Sequence, residues 1–491
     1  MPNVETIRGR IEAHSDLAAL SVAEASRRIA SGAIMPSMLL EAVLSRIDAV
    51  DGAIHSYLRV DRDAARKSAL ASDERAKTSK LLGPLDGIPF AVKDNIYTAG
   101  METTGGSRVP QRHDSTITAT LVSRLEAAGA VLVGKLNTWE YGTGTGAVYF
   151  DLEAPPSRNP WNTAHFTGGS STGSAAAVAA GTAIFSIGTD TGGSVRLPAA
   201  ACGIVGLKPT FGRISRHGVM PNCWSFDTPG PLALSVEDAA MIYDVIAGFD
   251  ECDPTSLSVP IEPTMPNLKK GIEGLKVGFV RNLDPGDAPP EQAILDALAR
   301  SASAFDRLGA EVVEVDLPIA PSEYRSIAMP INRAESFSIH ERDYMEYRQL
   351  MGRALREKLD MGMYLRAADY LAALRQRRAL VARTDEIFAQ VDVLLLPMTY
   401  RVAPPIRDHL AVVSYTAGSA GSPFSLTGHP ALALPAGFSP EGLPLSVQLA
   451  SGFNNETLLM RAAWALEQVL SPEPRRAEPQ HVLSTVSEEE G

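Results

Sequence analysis

Hydrophobic and polar positions follow two different rhythms along the chain. In residues 1–75 the apolar side chains recur every three or four positions, the spacing of amphipathic helices. Ser21 and Glu24 have the spacing of a capping box at the start of one such helix. The clearest apolar run comprises Leu39, Leu40, Val43, Leu44 and Ile47. The pattern therefore predicts that the chain begins with packed helices.

Beyond Gly83 the rhythm shortens to that of β-strands. Residues 88–92 alternate with a period of two and predict a strand that ends near Asp94. Residues 115–129 predict a helix, residues 130–134 an apolar strand, and residues 274–280 another strand. Because helices and strands alternate, we expect the α/β class: one large α/β/α sandwich around a mixed, largely parallel central sheet.

The same patterns divide the chain into three parts. Residues 1–75 form an N-terminal helical segment that packs on the core, and residues 76–471 form the α/β domain. Within this domain, residues at about 290–390 predict a helical excursion that contributes to a substrate pocket. Its Tyr and Met residues within 341–390 fit either ordinary core or an acyl pocket. Residues 472–491, rich in Pro and Glu, predict a surface or disordered tail.

Composition excludes several classes of protein. The 491 residues are 45% hydrophobic and 21% charged, as in folded globular proteins. A net charge of -12 is the wrong sign for a protein that binds nucleic acid through its phosphates. The three cysteines form no CxxC pair and no metal-ligand spacing, so we expect neither a metal nor a cofactor.

Location and membrane contact are predicted from charge patterning. The charged N-terminus lacks the apolar core of a secretory signal, which favours the cytoplasm. Two stretches without formal charge, residues 166–189 and 411–440, are interrupted by Gly, Ser, Thr or Pro. They are too polar to cross a bilayer, so we expect no membrane partner.

Two glycine-serine turns carry the densest chemical signal. Ser170 lies in TGGSSTGSAAAVAAG at 167–181, and Ser194 lies in GTDTGGSVRLPAA at 188–200. The first turn leads into an alanine-rich helix, and the second follows an apolar strand and lacks bulky side chains. Backbone N–H groups in such turns are accessible to a substrate, which favours a nucleophile next to an oxyanion hole.

Three other interpretations compete for these turns. A single GGS is usually a tight turn. A phosphate-binding loop needs Lys followed by Ser or Thr after its last glycine, whereas Gly173 precedes Ser174 and Ala175. A nucleophile elbow, G-x-S-x-G, is matched with Ser171 as nucleophile, but no apolar strand precedes it. Histidines follow downstream, as they must for an elbow, although most of the nine fit structural or surface positions.

A serine nucleophile without a clear histidine needs another base. Lys93 ends an apolar strand, and a lysine buried there would have a lowered pKa and serve as that base. The alternative for a strand lysine is an edge position that discourages aggregation.

Four segments together resemble the amidase signature family, and the resemblance extends over nearly the whole chain. They are GPLDGIPFAVKDNI at 83–96, GGSSTGSAAAVAAG at 168–181, GTDTGGSVRLPAA at 188–200 and GIVGLKPTFGRIS at 203–215. Residues 225–248 and 426–451 are similar to the flanking regions of the family. The resemblance implies the amidase signature fold, with no cofactor.

The resemblance also implies roles for individual residues. Ser194 is the expected nucleophile, Ser170 the proton relay and Lys93 the base, with a cis peptide between Gly169 and Ser170. The amides of Thr191, Gly192, Gly193 and Ser194 are the expected oxyanion hole. Asp190 and Arg196 are expected to order the site. Substrate-cleft residues are expected within 139–151, namely Tyr141, Thr143 and Gly144.

The implied function is an amidohydrolase that cleaves an amide, or a related carbamate, urea or ester, through a serine acyl-enzyme. Its expected partner is a small-molecule amide, and a homodimer is the default assembly. The alternatives are the amidase-type component of a tRNA-dependent glutaminyl amidotransferase complex and a catalytically inactive binding scaffold. Residues 139–151 differ from those expected of that component. Thr172 and Ser425 also depart from the commonest family pattern, which has glycine and asparagine there.

Overall fold

A large sheet runs through the centre of the molecule. The computed structural model describes residues 17–112, 114–284, 289–470 and 476–477. The sheet order in these residues is β1-β3-β2-β4-β6-β5-β10-β11-β9-β7-β8. The strands are β1 Tyr57–Val60, β2 Pro89–Lys93, β3 Val131–Leu136, β4 Phe185–Asp190, β5 Val205–Lys208, β6 Thr228–Ala233, β7 Lys276–Val280, β8 Glu311–Val315, β9 Val393–Pro397, β10 Ala431–Phe438 and β11 Pro444–Ser451.

Helices cover both faces of this sheet. In chain order they are α1 Val22–Ala30, α2 Pro36–Ile54, α3 Arg62–Lys77, α4 Thr120–Ala127, α5 Thr172–Ala180, α6 Arg196–Cys202, α7 Val236–Ile246, α8 Gln292–Arg307, α9 Pro321–Tyr347, α10 Arg353–Met363, α11 Ala367–Phe388, α12 His409–Ala417, α13 Ser422–Thr427 and α14 Glu456–Leu470. Short 3-10 turns lie at Glu140–Gly142 and Arg348–Leu350. None of the described helices is long and apolar enough to span a membrane.

The sheet confirms the predicted mixed α/β class, but it is less parallel than expected. Of the ten strand pairings in the described part of the chain, four are parallel and six antiparallel. Four consecutive antiparallel pairings join β4 through β6, β5 and β10 to β11. Hairpins and long returns link these strands, and the alternation of helices and strands in the sequence does not distinguish them from parallel crossovers.

The strand pattern decides which side of the sheet carries the chemistry. Phe90 and Val92 of β2 pack into the largest hydrophobic cluster, and the rings of Phe90 and Phe185 stack at 5.3 Å. Ala91 lies on the opposite face, against Ala177 of α5. Since side chains alternate along a strand, Lys93 shares the face of Ala91. The alanine-rich surface of α5 lets this helix lie close to the sheet there.

Three features differ from the predicted organisation. The N-terminal segment is not purely helical, because β1 joins the sheet beside β3. The excursion at about 290–390 contains the edge strand β8 besides its helices. In the predicted tail, Arg476 donates hydrogen bonds to the carbonyls of Ala183 and Leu20, and Ala477 is buried. The rest of residues 472–491 lies outside the described residues.

Gly230 of β6 marks a very close approach between strands. A Cβ built there would lie 2.0 Å from the Leu207 carbonyl oxygen of β5, an atom that cannot move without the strand. Gly230→Ala should lower the free energy of unfolding by about 3 kcal/mol or more, the upper range for overpacking. The control is Gly52→Ala in α2, where a Cβ meets nothing within 4 Å. It should leave stability unchanged or raise it by about 1 kcal/mol. Melting temperatures measure both, and equal melting of Gly230→Ala and wild type would contradict this packing.

Candidate active site

The predicted catalytic residues meet at one edge of the sheet. β2 and β4 are parallel neighbours, so their carboxyl ends, Lys93 and Asp190, lie at the same edge. The turn that carries Ser194 leaves β4 at this point, and the turn that carries Ser170 precedes α5, which contacts both strands. Two segments about a hundred residues apart in sequence are thus brought together by the parallel pairing.

Lys93 is completely buried and makes two hydrogen bonds. Its Nζ donates to Ser170 Oγ at 2.8 Å and to Thr189 Oγ1 at 2.9 Å. Asn95 Nδ2 donates to the same threonine hydroxyl at 3.0 Å. Burial lowers the pKa of Lys93 to about 7, although the charges of Asp227 and Asp190 act in the opposite direction. Near neutral pH this amine therefore exists in both protonation states.

Ser170 is held by the turn in which it lies. The Gly169–Ser170 peptide is cis, as the resemblance implied. A side chain at Gly169 would lie 2.3 Å from the Trp139 ring, so only glycine fits there. The Ser170 carbonyl accepts hydrogen bonds from the Trp139 amide at 3.2 Å and from Thr138 Oγ1 at 3.1 Å. These contacts fix the hydroxyl that accepts from Lys93.

Ser194 lies beside this turn and faces a cavity. The Ser171 amide donates to the Ser194 carbonyl at 3.2 Å, which ties the two turns together. Ser194 is partly exposed and lines a cavity of about 700 Å³. Within the described ranges, no hydrogen bond joins Ser170 Oγ to Ser194 Oγ. The structure therefore contains the Lys93–Ser170 link of the predicted relay, with Ser194 adjacent but not bonded to it.

The nucleophile-elbow interpretation fails on burial. Ser171 is completely buried, and its hydroxyl donates to the Thr189 carbonyl at 3.2 Å. The described residues directly before this turn form no strand. A hydroxyl that is enclosed and engaged with the backbone has no access to a substrate.

The amides of the second turn differ in availability. The Gly193 amide donates to Asp190 Oδ1 at 2.8 Å, so it is already engaged. The amides of Thr191, Gly192 and Ser194 have no acceptor in the part of the chain that the structure describes. Gly193 has a φ of 118°, a conformation that favours glycine. Three of the four amides predicted for the oxyanion hole are thus available to a ligand.

A buried ion pair anchors this turn. Arg196 Nε donates to Asp190 Oδ2 and Nη2 to Oδ1, each at 3.0 Å, and both residues are fully buried. Burial alone would raise the pKa of Asp190, but the charge and hydrogen bonds of Arg196 hold it at about 2. Ser425 Oγ, donating to Asp190 at 3.0 Å, and Gln448 Oε1, accepting from Arg196 at 2.6 Å, complete the network. The departure at Ser425 thus contributes to this network.

A second carboxylate positions the start of the turn. Thr191 Oγ1 donates to Asp227 Oδ1 at 2.6 Å. The other oxygen of Asp227 accepts from the amides of Asn222 and Cys223 at 2.7 and 2.8 Å. Burial raises the pKa of Asp227. Sequence reasoning missed this residue, because a lone Asp in SFDTPG has no spacing that marks it.

The cavity in front of Ser194 is built from distant segments. Thr143 and Gly144 line it, as expected, whereas Tyr141 does not. The Tyr141 ring instead packs on His340, with ring centres 4.6 Å apart, in a separate hydrophobic cluster. Sequence reasoning missed the wall formed by α9 and α10, which includes Arg325, Asn332 and Lys358. Their helices show only an ordinary mixture of charged and apolar positions, so no motif marked them.

The side chains at this edge do not form a metal-binding group. Within residues 17–112, 114–284, 289–470 and 476–477, no three His, Cys, Asp or Glu side chains are grouped to hold a metal ion. The protein's own groups able to do chemistry here are hydroxyls, backbone amides, buried amines and buried carboxylates.

The comparisons with known proteins agree with this site. The amidase family model matches residues 38–460. The glutamyl-tRNA(Gln) amidotransferase A component of Anaeromyxobacter sp. (strain K) is 39% identical over 94% of this chain and 99% of its own.

Two solved structures have the same fold. The peptide amidase of Stenotrophomonas maltophilia is 31% identical, with a TM-score of 0.81, over 93% of this chain and 98% of its own. A protein from a vestigial complex, solved in work on the origins of an s-triazine catabolic enzyme, is 34% identical, with a TM-score of 0.84, over 94% of this chain and 100% of its own. From its sequence, its fold and these matches, the chain belongs to the amidase signature family.

Proposed function

We propose that this protein is an amidohydrolase in which Ser194 is the nucleophile, Ser170 relays protons and Lys93 is the base. The observation that carries the proposal is the hydrogen bond between the buried Lys93 amine and Ser170, beside the cavity that Ser194 lines. A lysine with a pKa of about 7 accepts a proton near neutral pH, which an ordinary lysine does not.

The first half of the reaction forms an acyl-enzyme. Ser194 Oγ attacks the amide carbonyl while its proton passes to Ser170 Oγ, whose own proton passes to Lys93 Nζ. This transfer requires the Ser194 hydroxyl to turn toward Ser170, an ordinary change of side-chain rotamer. The amides of Thr191, Gly192 and Ser194 stabilise the negative charge on the carbonyl oxygen.

The second half returns the enzyme to its starting state. The C–N bond breaks, and the proton on Lys93 returns through Ser170 to the leaving nitrogen. Water then attacks the acyl-serine, giving its proton to the same relay, and Ser194 recovers its hydrogen when the acid is released. The relay ends each cycle with Lys93 neutral, so no external base is consumed.

A component of a tRNA-dependent amidotransferase is the second candidate. The 39% identity to the Anaeromyxobacter protein over 94% of this chain favours it. Its chemistry at Ser194 would be the same, except that the ammonia is passed to a partner protein. A cytoplasmic location and a homodimer remain predictions.

Labelling with a fluorophosphonate probe tests the nucleophile without a known substrate. Wild type should be labelled at Ser194, as located by peptide mass spectrometry, and Ser194→Ala should lose at least about a hundredfold in labelling rate, as expected for a lost nucleophile. Ser171→Ala is the matched control and should still be labelled at Ser194. An unlabelled wild-type protein would favour the inactive scaffold, and labelling at Ser171 would restore the elbow.

The pH dependence of this labelling tests the base. Lys93 accepts a proton only when neutral, so the second-order rate should rise with pH, with a midpoint near 7, and level off above it. Lys93→Met should remove this dependence and most of the rate. Lys135→Met is the control, since Lys135 is another buried lysine, with a pKa of about 8, that donates to Thr103 instead. A rate that is flat from about pH 5 to 9 in the wild type would contradict the assignment.

Isolation of the tagged chain from its own cells distinguishes the two candidates. An amidohydrolase should purify without a second large protein, and the purified chain should hydrolyse small amides. An amidotransferase component should co-purify with such a partner and prefer glutamine as the amide donor. Glutamine hydrolysis only in the presence of a partner and tRNA would overturn the first candidate.

A further inference from the structure

One face of α9 forms a wall of the cavity in front of Ser194. Arg325, Ala328, Met329 and Asn332 all line this cavity. Their spacing of three and four positions places them on the same side of the helix. The side chains that α9 presents to a bound molecule are therefore one cation, one amide and two small or flexible apolar groups.

Arg325 has no counter-ion. In the described part of the chain its guanidinium makes no hydrogen bond and no salt bridge, and no side-chain carboxylate lines the cavity. The side chain is largely withdrawn from water, and burial together with the nearby charge of Arg333 lowers the pKa of Arg325. Burying a charge without a partner is costly, whereas the buried Arg196 of the same site has a partner in Asp190.

The rest of the cavity is also electropositive. Lys358 of α10 lines it and is completely buried, with its Nζ donating to Thr143 Oγ1 and, at 3.2 Å, to Asn222 Oδ1. Both of these acceptors are neutral. A ligand with a negative group would thus find two basic side chains and no opposing carboxylate in the lining that the structure describes.

We propose that the substrate is a small amide that carries a free carboxylate, which Arg325 binds while the amide carbonyl lies at Ser194. This inference rests on the proposed function, because it places the scissile bond at Ser194. The planar guanidinium presents paired N–H donors that match the two oxygens of a carboxylate. A cavity of about 700 Å³ holds a small molecule with both groups.

Protection of Ser194 from a neutral fluorophosphonate tests the proposal with defined probes. The panel consists of succinamate, glutaramate, adipamate and L-glutamine, together with the neutral diamides succinamide, glutaramide and adipamide. Phenyl phosphate is added to separate carboxylate from general anion binding. At least one carboxylate should protect wild type at a tenfold or lower concentration than its diamide, and phenyl phosphate should protect no better than the diamides.

Three variants locate the effect. Arg325→Gln should weaken protection by the carboxylates at least tenfold and leave the diamides unchanged, and Arg325→Lys should weaken it less. Arg342→Gln is the matched control, because Arg342 lies on the same helix but is exposed and pairs with Glu346. It should behave as wild type.

Several results would overturn the proposal. These are equal protection by acids and diamides, stronger protection by phenyl phosphate, and unchanged carboxylate protection in Arg325→Gln. If wild type is not labelled at all, the nucleophile assignment fails, and thermal stabilisation by the same panel replaces protection as the measure of binding. A carboxylate-specific rise in melting temperature that Arg325→Gln loses would then support the anion site alone, and its absence would overturn it.

Discussion

The chemistry at this sheet edge depends on the removal of one amine from water. Lys93 is the last residue of a central strand, covered by the α5 turn and by the Thr189 side chain. The change in its pKa from 10.5 to about 7 corresponds to about 5 kcal/mol of lost preference for the charged form. The fold supplies this energy through its packing, and the result is a base next to a serine hydroxyl.

The second constraint is the rigidity of the turn after β4. Asp190 is a buried anion that engages Arg196 and the Gly193 and Val195 amides, at 2.8 and 3.2 Å for the amides. Asp227 fixes Thr191 from the other side. Such buried pairs contribute little net stability, but loss of one partner leaves the other charge uncompensated in an apolar interior. Their role here is to aim the remaining amides of the turn at the cavity.

Local patterns predicted the parts of the protein that are determined locally. The strand at 88–92, the turns around Ser170 and Ser194, and the α/β class follow from periodicity and from glycine placement, and the structure has them. Antiparallel pairing from β4 to β11, strand β1 and the packing of Arg476 depend on contacts between residues far apart in sequence. Single-sequence patterns do not encode which distant segments meet.

The same distinction applies to the site. Lys93 and the two serines lie in dense motifs, so sequence reasoning found them, whereas Asp227, Arg325 and Lys358 are isolated residues that tertiary folding brings to the cavity or to the turn beside it. Tyr141, expected in the cleft, packs outside it, because the 3-10 turn at Glu140–Gly142 directs its ring toward His340. Motifs mark the shared chemistry, and the cavity walls, which set substrate choice, carry no such mark.

The most direct test of this mechanism is the pKa of Lys93 itself. Protein labelled with ¹³C at lysine Cε is titrated by NMR from about pH 5 to 11, a range that spans both the lowered and the ordinary lysine pKa. The Lys93 signal is assigned by its loss in Lys93→Met. We expect a midpoint near 7 for this signal, far below that of the exposed lysines. A midpoint near 10.5, the ordinary value, would show that the amine stays charged at neutral pH, and Lys93 would not be the base.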